Sequence, residues 1–134
     1  MIPARKRIAV IGCGGTISSM AESTLDVLDY PETGRKLTVE EVLERVPELA
    51  RFAECLPIPF RAVGSNAIGP QEWRELAEVI GQTIARDPEI AGFVLPHGTA
   101  TIEETAYALH LLLKTDRPVV LVGAQRPASV RTPA

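Results

Sequence analysis

Aromatic side chains are scarce in this sequence: one Trp, two Tyr and three Phe, 4% of 134 residues. Since 46% of the residues are hydrophobic, a core must be built from Val, Ile, Leu and Ala, which suits a parallel sheet covered by helices. No apolar run approaches the length that spans a bilayer. Ile8-Ala9-Val10-Ile11 is too short for the core of a signal peptide. Cysteine is also rare. Cys13 and Cys55 have no metal-ligand spacing, so reduced thiols in the cytoplasm are the expectation. The net charge of −3 is dispersed, and Arg5-Lys6-Arg7 is more simply a solvated N-terminus than a nucleic-acid stripe. Neither a nucleic acid nor a membrane is expected as a partner. The length suits one α/β domain spanning 1–134.

Short β-branched runs alternate with helical patterns. Ile8–Ile11 reads as a buried strand ending at Gly12. Ser18–Arg35, with Pro31 and Gly34 and no period, reads as a long loop. Thr38-Val39-Glu40-Glu41 fits a capping box that opens a helix to about Val46, closed by Pro47. Phe60–Val63 is a second strand. Pro70 then opens a helix to about Arg86, with Trp73, Leu76, Ala77, Ile80 and Ile84 on one face. Gly92–Leu95 is a third strand, stopped by Pro96. Ile102–Lys114 is a helix with Ile102, Ala106, Leu109, Leu112 and Leu113 on its apolar side. Pro118–Val122 is a fourth strand, and the chain stops at Thr132-Pro133-Ala134 in a loop after it. The alternation implies a parallel sheet with right-handed crossovers.

Ligands gather outside the carboxyl ends of the strands in such sheets. All four expected strands end in small, polar, glycine-bearing turns: Gly12-Cys13-Gly14-Gly15-Thr16, Gly64-Ser65-Asn66, Pro96-His97-Gly98-Thr99 and Gly123-Ala124-Gln125-Arg126-Pro127. Together they point to a polar pocket. A dinucleotide fingerprint would need glycine at position 17, which is Ile17, and no Gly-Lys-Thr or Gly-Lys-Ser follows. A hydroxyl nucleophile needs a base and oxyanion donors. Thr16 follows two glycines, and Thr99 follows His97-Gly98. Thr101-Ile102-Glu103-Glu104 reads as a second capping box, so Thr101 is assigned mainly to capping, while Thr99 serves either capping or catalysis.

Gly14-Gly15-Thr16-Ile17, then His97-Gly98-Thr99-Ala100-Thr101-Ile102-Glu103-Glu104-Thr105-Ala106, then Gly123-Ala124-Gln125-Arg126-Pro127 resemble, in this order, the signatures of the bacterial asparaginase/glutaminase family. The similarity runs from about Arg7 to the last residue. It implies the N-terminal part of an asparaginase-type fold, truncated at its C-terminus, that hydrolyses a small amide to a carboxylate and ammonia. Thr16 would be the nucleophile that forms an acyl-enzyme, and Tyr30 would hydrogen-bond near it. Ser65 and Asn66 would hold the substrate carboxylate, beside His97, Gly98 and Ala100. Thr99 would be a second catalytic threonine served by a lysine further along the chain. The family uses no metal and no organic cofactor and forms tetramers built from dimers.

Two departures from the family pattern matter. Ala100 stands where the second signature normally has Asp, a carboxylate for the substrate's α-ammonium. The substrate is then expected to lack that ammonium, or asparagine turnover to be badly impaired. None of Lys6, Lys36 and Lys114 is placed as the catalytic lysine, so the isolated chain is expected to be inactive and to associate. A truncated remnant or a module that binds a small carboxylate is the alternative, and a nucleotide-dependent enzyme is disfavoured by the glycine spacing.

Overall fold

The computed structural model describes residues 5–130, with the backbone alone at Glu32 and Thr33. The reading of Thr132–Ala134 lies outside the described residues. In chain order the elements are β1 (Lys6–Gly14), β2 (Ser19–Met20), α1 (Tyr30–Thr33), β3 (Arg35–Lys36), α2 (Val39–Glu44), β4 (Ala53–Val63), α3 (Pro70–Arg86), β5 (Ile90–Pro96), α4 (Ile102–Leu112) and β6 (Val119–Val122). The main sheet has the order β4-β1-β5-β6, and every pairing in it is parallel. β2 and β3 form a separate antiparallel ribbon.

Successive side chains on β1 point to opposite faces. Ala9, Ile11 and Cys13 are fully buried in one cluster with Phe93 and Leu95 of β5, Leu76 and Ile80 of α3, and Leu109 of α4. Ile8 and Val10 face the other way. With Val42, Leu43, Val94 and Val122 they line a cavity of about 350 Å³ between the sheet and α2. α3 starts as its sequence requires: Pro70 occupies the first turn, and Gly69 N–H donates to Glu72 Oε2 at 2.9 Å. Burying Leu76 and Ile80 completely stabilises the fold by about 1.5–3 kcal/mol each.

Several boundaries depart from expectation. β4 has 11 residues where only Phe60–Val63 was expected. Pro57 and Pro59 hide the rest, because proline normally interrupts a ladder. β4 tolerates them as an edge strand, where N–H groups on one side need no partner. The expected loop at 18–35 contains the β2–β3 ribbon and α1. α2 keeps its capping box, with Glu41 N–H donating to Thr38 Oγ1 and Thr38 N–H to Glu41 Oε2, but it ends at Glu44. Pro47–Arg51 form a separate 3-10 turn.

α4 ends at Leu112, and Ala106 and Leu112 are exposed despite their expected place on its apolar side. The side against α3 is set by Leu109 and by Thr105, whose Oγ1 accepts from Trp73 Nε1 at 3.0 Å. A polar residue thus occupies the buried position, because an indole donor on the neighbouring helix satisfies it.

Candidate active site

β1 ends at Gly14, and Gly14 and the following Gly15 have φ of 84° and 80°, a left-handed backbone that glycine adopts without steric cost. The turn aims Thr16 away from the strand into a 3-10 turn, Thr16–Ser18. Its Oγ1 lies 2.9 Å from Tyr30 Oη, and both residues are half-buried. Either oxygen can donate. Tyr30 comes from the 21–34 loop, whose base is closed by the β2–β3 ribbon.

The four strand-end turns meet here. Gly15 N–H donates to Val63 O at 2.8 Å, joining the first turn to the end of β4. Any Cβ on Gly15 would strike the backbone of Gly98, so the first and third turns touch main chain to main chain. A Cβ on Gly98 would stand 2.7 Å from Ser65 Cβ, so the second turn packs on the third with equal closeness. Thr101 Oγ1 adds a hydrogen bond to Ser65 O at 2.9 Å. His97 N–H donates to Val122 O at 2.8 Å, and Ala128 N–H to Ser19 O at 2.7 Å, which brings in the fourth turn.

Thr101 therefore does not cap α4, contrary to the sequence reading: its side chain makes no cap hydrogen bond. Its hydroxyl is used for a long-range tie between turns, which a local sequence pattern does not reveal. Ser65 is buried, Asn66 is exposed, and Asn66 Oδ1 folds back towards Gly64. Thr99 is half-buried and Ala100 is exposed at the start of the 3-10 turn that leads into α4.

His97 has no exposed surface. Its Nδ1 lies 2.7 Å from Gly98 O, which only accepts, so Nδ1 carries the proton. Nε2 has no partner among the described residues. Cys13 is equally buried, and desolvation pushes its thiol up to about 12, which leaves it inert as a nucleophile.

One feature of the site was missed in the sequence. Lys36 Nζ donates to Ser19 Oγ at 2.6 Å, and Ser19 Oγ donates to Gly15 O at 3.0 Å. A cation is thus two hydrogen bonds from the peptide preceding Thr16, and partial burial lowers its pKa below the ordinary lysine value. The pair Ser18-Ser19 next to Thr16-Ile17 was the only local signal. The pairing across the ribbon that delivers Lys36 was not legible. Among the described residues, no group of His, Cys, Asp and Glu is arranged to hold a metal ion.

A threonine hydroxyl paired with a phenol, at the carboxyl edge of a parallel sheet where four glycine-bearing turns meet, defines an α/β protein with a candidate site on that edge. The family model described as "Asparaginase, N-terminal" matches residues 7–132, and the chain belongs to the asparaginase family. It is 35% identical over 125 residues to the probable periplasmic L-asparaginase of Haemophilus influenzae, covering 93% of this chain and 34% of that protein. It is 37% identical over 122 residues to L-asparaginase 2 of Bacillus subtilis, covering 91% of this chain and 32% of that protein. The crystal structure of a probable cytoplasmic L-asparaginase from Campylobacter jejuni superposes with a TM-score of 0.83 at 36% identity, over 94% of this chain and 37% of that one. The chain thus spans about a third of the length of these relatives. Among the described residues, no helix is long and apolar enough to cross a membrane.

Proposed function

We propose that residues 1–134 form the asparaginase-like N-terminal α/β domain of an amidohydrolase working through a threonine acyl-enzyme. The observation that carries this reading is the 2.9 Å contact between Thr16 Oγ1 and Tyr30 Oη where the four strand-end turns converge. Thr16 attacks the amide carbonyl, ammonia leaves, and water hydrolyses the resulting ester. Tyr30 orients the hydroxyl and relays its proton. Ser65 and Asn66 hold the substrate's carboxylate. Thr99 is the second threonine of the reaction, and the lysine serving it is none of Lys6, Lys36 and Lys114. Lys36 is bound to Ser19 instead. The chain by itself is therefore expected to release no ammonia. The enzyme acts in the cytoplasm as a homo-oligomer, a tetramer by family resemblance.

A Thr16→Ala substitution in the active polypeptide tests the mechanism. Turnover should disappear while affinity for the amide persists. Undiminished turnover would remove Thr16 from the role. Retained binding by a parent protein that never releases ammonia under any assembly would favour a small-carboxylate binding module.

A further inference from the structure

Two adjacent serines hold the first turn from behind. Ser18 Oγ donates to Gly14 O at 3.3 Å, and Ser19 Oγ donates to Gly15 O at 3.0 Å. The second of these bonds has a cation behind it, because Lys36 Nζ donates to Ser19 Oγ at 2.6 Å. An ammonium has donors and no acceptor, so Ser19 Oγ receives that bond through a lone pair and keeps its single proton for Gly15 O. The direction of the route, from Lys36 to Ser19 to Gly15, is therefore fixed. A charged donor also polarises the hydroxyl and strengthens the bond beyond it.

The ribbon makes this pairing. Ser19 stands directly opposite Lys36 in the β2–β3 register, so the two side chains leave the same face. Ser19 is fully buried, while Lys36 is half-buried at the base of the 21–34 loop that brings Tyr30 to Thr16.

Gly15 is held on both sides. Its N–H donates to Val63 O at 2.8 Å, and its O also accepts from Ser18 N–H at 3.1 Å. The trans peptide is planar, so fixing Gly15 O fixes Thr16 N–H, which points the opposite way. That N–H belongs to the residue whose hydroxyl is the proposed nucleophile. A main-chain N–H in such a place can receive the oxyanion formed as the hydroxyl adds to an amide.

We infer that Lys36 is a positioning residue: acting through Ser19, its ammonium fixes and polarises the Gly15–Thr16 peptide and so sets the amide and hydroxyl of Thr16 for attack. Lys36 touches no substrate and takes no proton. This role rests on the proposed amide site around Thr16 and adds a residue that serves it.

The route is tested first in the 134-residue protein, by NMR of the Gly15 carbonyl carbon and the Thr16 amide nitrogen. Lys36→Met should shift both signals, as should Ser19→Ala. Adding Lys36→Met to Ser19→Ala should move them no further, since either change breaks the same route. Lys36→Arg keeps a charged donor and should restore most of the parent values. Arg35→Met controls for the ribbon itself: Arg35 pairs with Glu41 at the neighbouring position, and its loss should leave both signals in place. Additive shifts in the double variant, or an equal shift in Arg35→Met, overturn the route.

In the active enzyme, Lys36→Met should lower kcat about tenfold or more with KM nearly unchanged, and Lys36→Arg should recover most of the loss. Parent kcat in Lys36→Met, beside no turnover in Thr16→Ala, overturns the role of Lys36 and leaves the amide site standing. Full turnover in Thr16→Ala overturns the site and the role of Lys36 together.

Discussion

The packed face of the sheet and its carboxyl edge are built by opposite means. Between the sheet and α3–α4, Ile11, Phe93, Leu95, Leu76, Ile80 and Leu109 fill the space with side-chain volume. At the edge, Gly15 and Gly98 let the turns touch because side-chain volume is missing. The first region is tolerant in position and expensive in volume: a deleted methylene leaves a void, but no single atom is indispensable. The second is intolerant of any added atom and uses named oxygens, of Thr16, Tyr30, Thr101 and Ser19, that have no substitutes. Damage to the first should therefore appear as lost stability, and damage to the second as lost chemistry.

The strongest way to break this contrast is Thr16→Val, which keeps shape and removes the proposed nucleophile. Ammonia release by the active enzyme should fall by roughly 10³-fold or more, while unfolding free energy changes by less than about 1 kcal/mol. A comparable loss of stability would make Thr16 part of the scaffold. Leu76→Ala is the converse experiment. Leu76 is fully buried, so denaturant unfolding should reveal a loss of about 2–5 kcal/mol. The amide shifts of Gly15 and Gly98 should barely change.

Thr101→Val sharpens the comparison on a smaller scale. It removes the hydrogen bond to Ser65 O and should cost about 1 kcal/mol, with faster hydrogen exchange confined to 64–68. Thr101→Ser should restore most of it. If the cap reading were correct, the exchange would instead quicken in the first turn of α4.

Cysteine chemistry gives a test without mutation. Cys55 is half-buried and Cys13 is buried with its thiol pushed up to about 12. Iodoacetamide at pH 8 should modify Cys55 in the native protein and Cys13 only after unfolding. Early labelling of Cys13 would mean that the end of β1 opens readily.

The smallest effect concerns acid. Hydrogen bonds from the backbone N–H groups of Thr38 and Gly69 hold Glu41 and Glu72, respectively, below the usual glutamate value. A depressed folded pKa contributes stability that is fully present above the unfolded value of 4.5 and is lost as pH falls through the folded value. Glu72→Gln should therefore be slightly destabilising at pH 7, and the difference from the parent should close in acid unfolding curves. A gap that widened on acidification would reverse this assignment.

Much of the frame was legible before any coordinates. The 3.6-residue spacing of Trp73, Leu76, Ala77, Ile80 and Ile84 marks α3, because a helix can bury only one side. The short apolar runs of β1 and β5 mark buried strands, and that of β6 marks a strand at the sheet edge, where Val120 is exposed. The prolines of β4 hid its true length, since their acceptability depends on β4 lying at the sheet edge. Thr105 gave no apolar signal, because its burial depends on the indole of Trp73.

Order along the chain, strand-end glycines and the two threonine signatures were determined by the sequence alone, since they express local backbone sterics and spacing. The convergence of the turns was decided only by tertiary structure. So were the placement of Tyr30 on Thr16, the use of Thr101 to hold Ser65 and the route from Lys36 through Ser19 to Gly15. The contacts of Thr16 with Tyr30, of Thr101 with Ser65 and of Lys36 with Ser19 each join residues at least 14 positions apart: the tie from Thr101 exists only once parallel pairing has fixed which strand ends are neighbours, and Lys36 meets Ser19 only across the antiparallel β2–β3 ribbon.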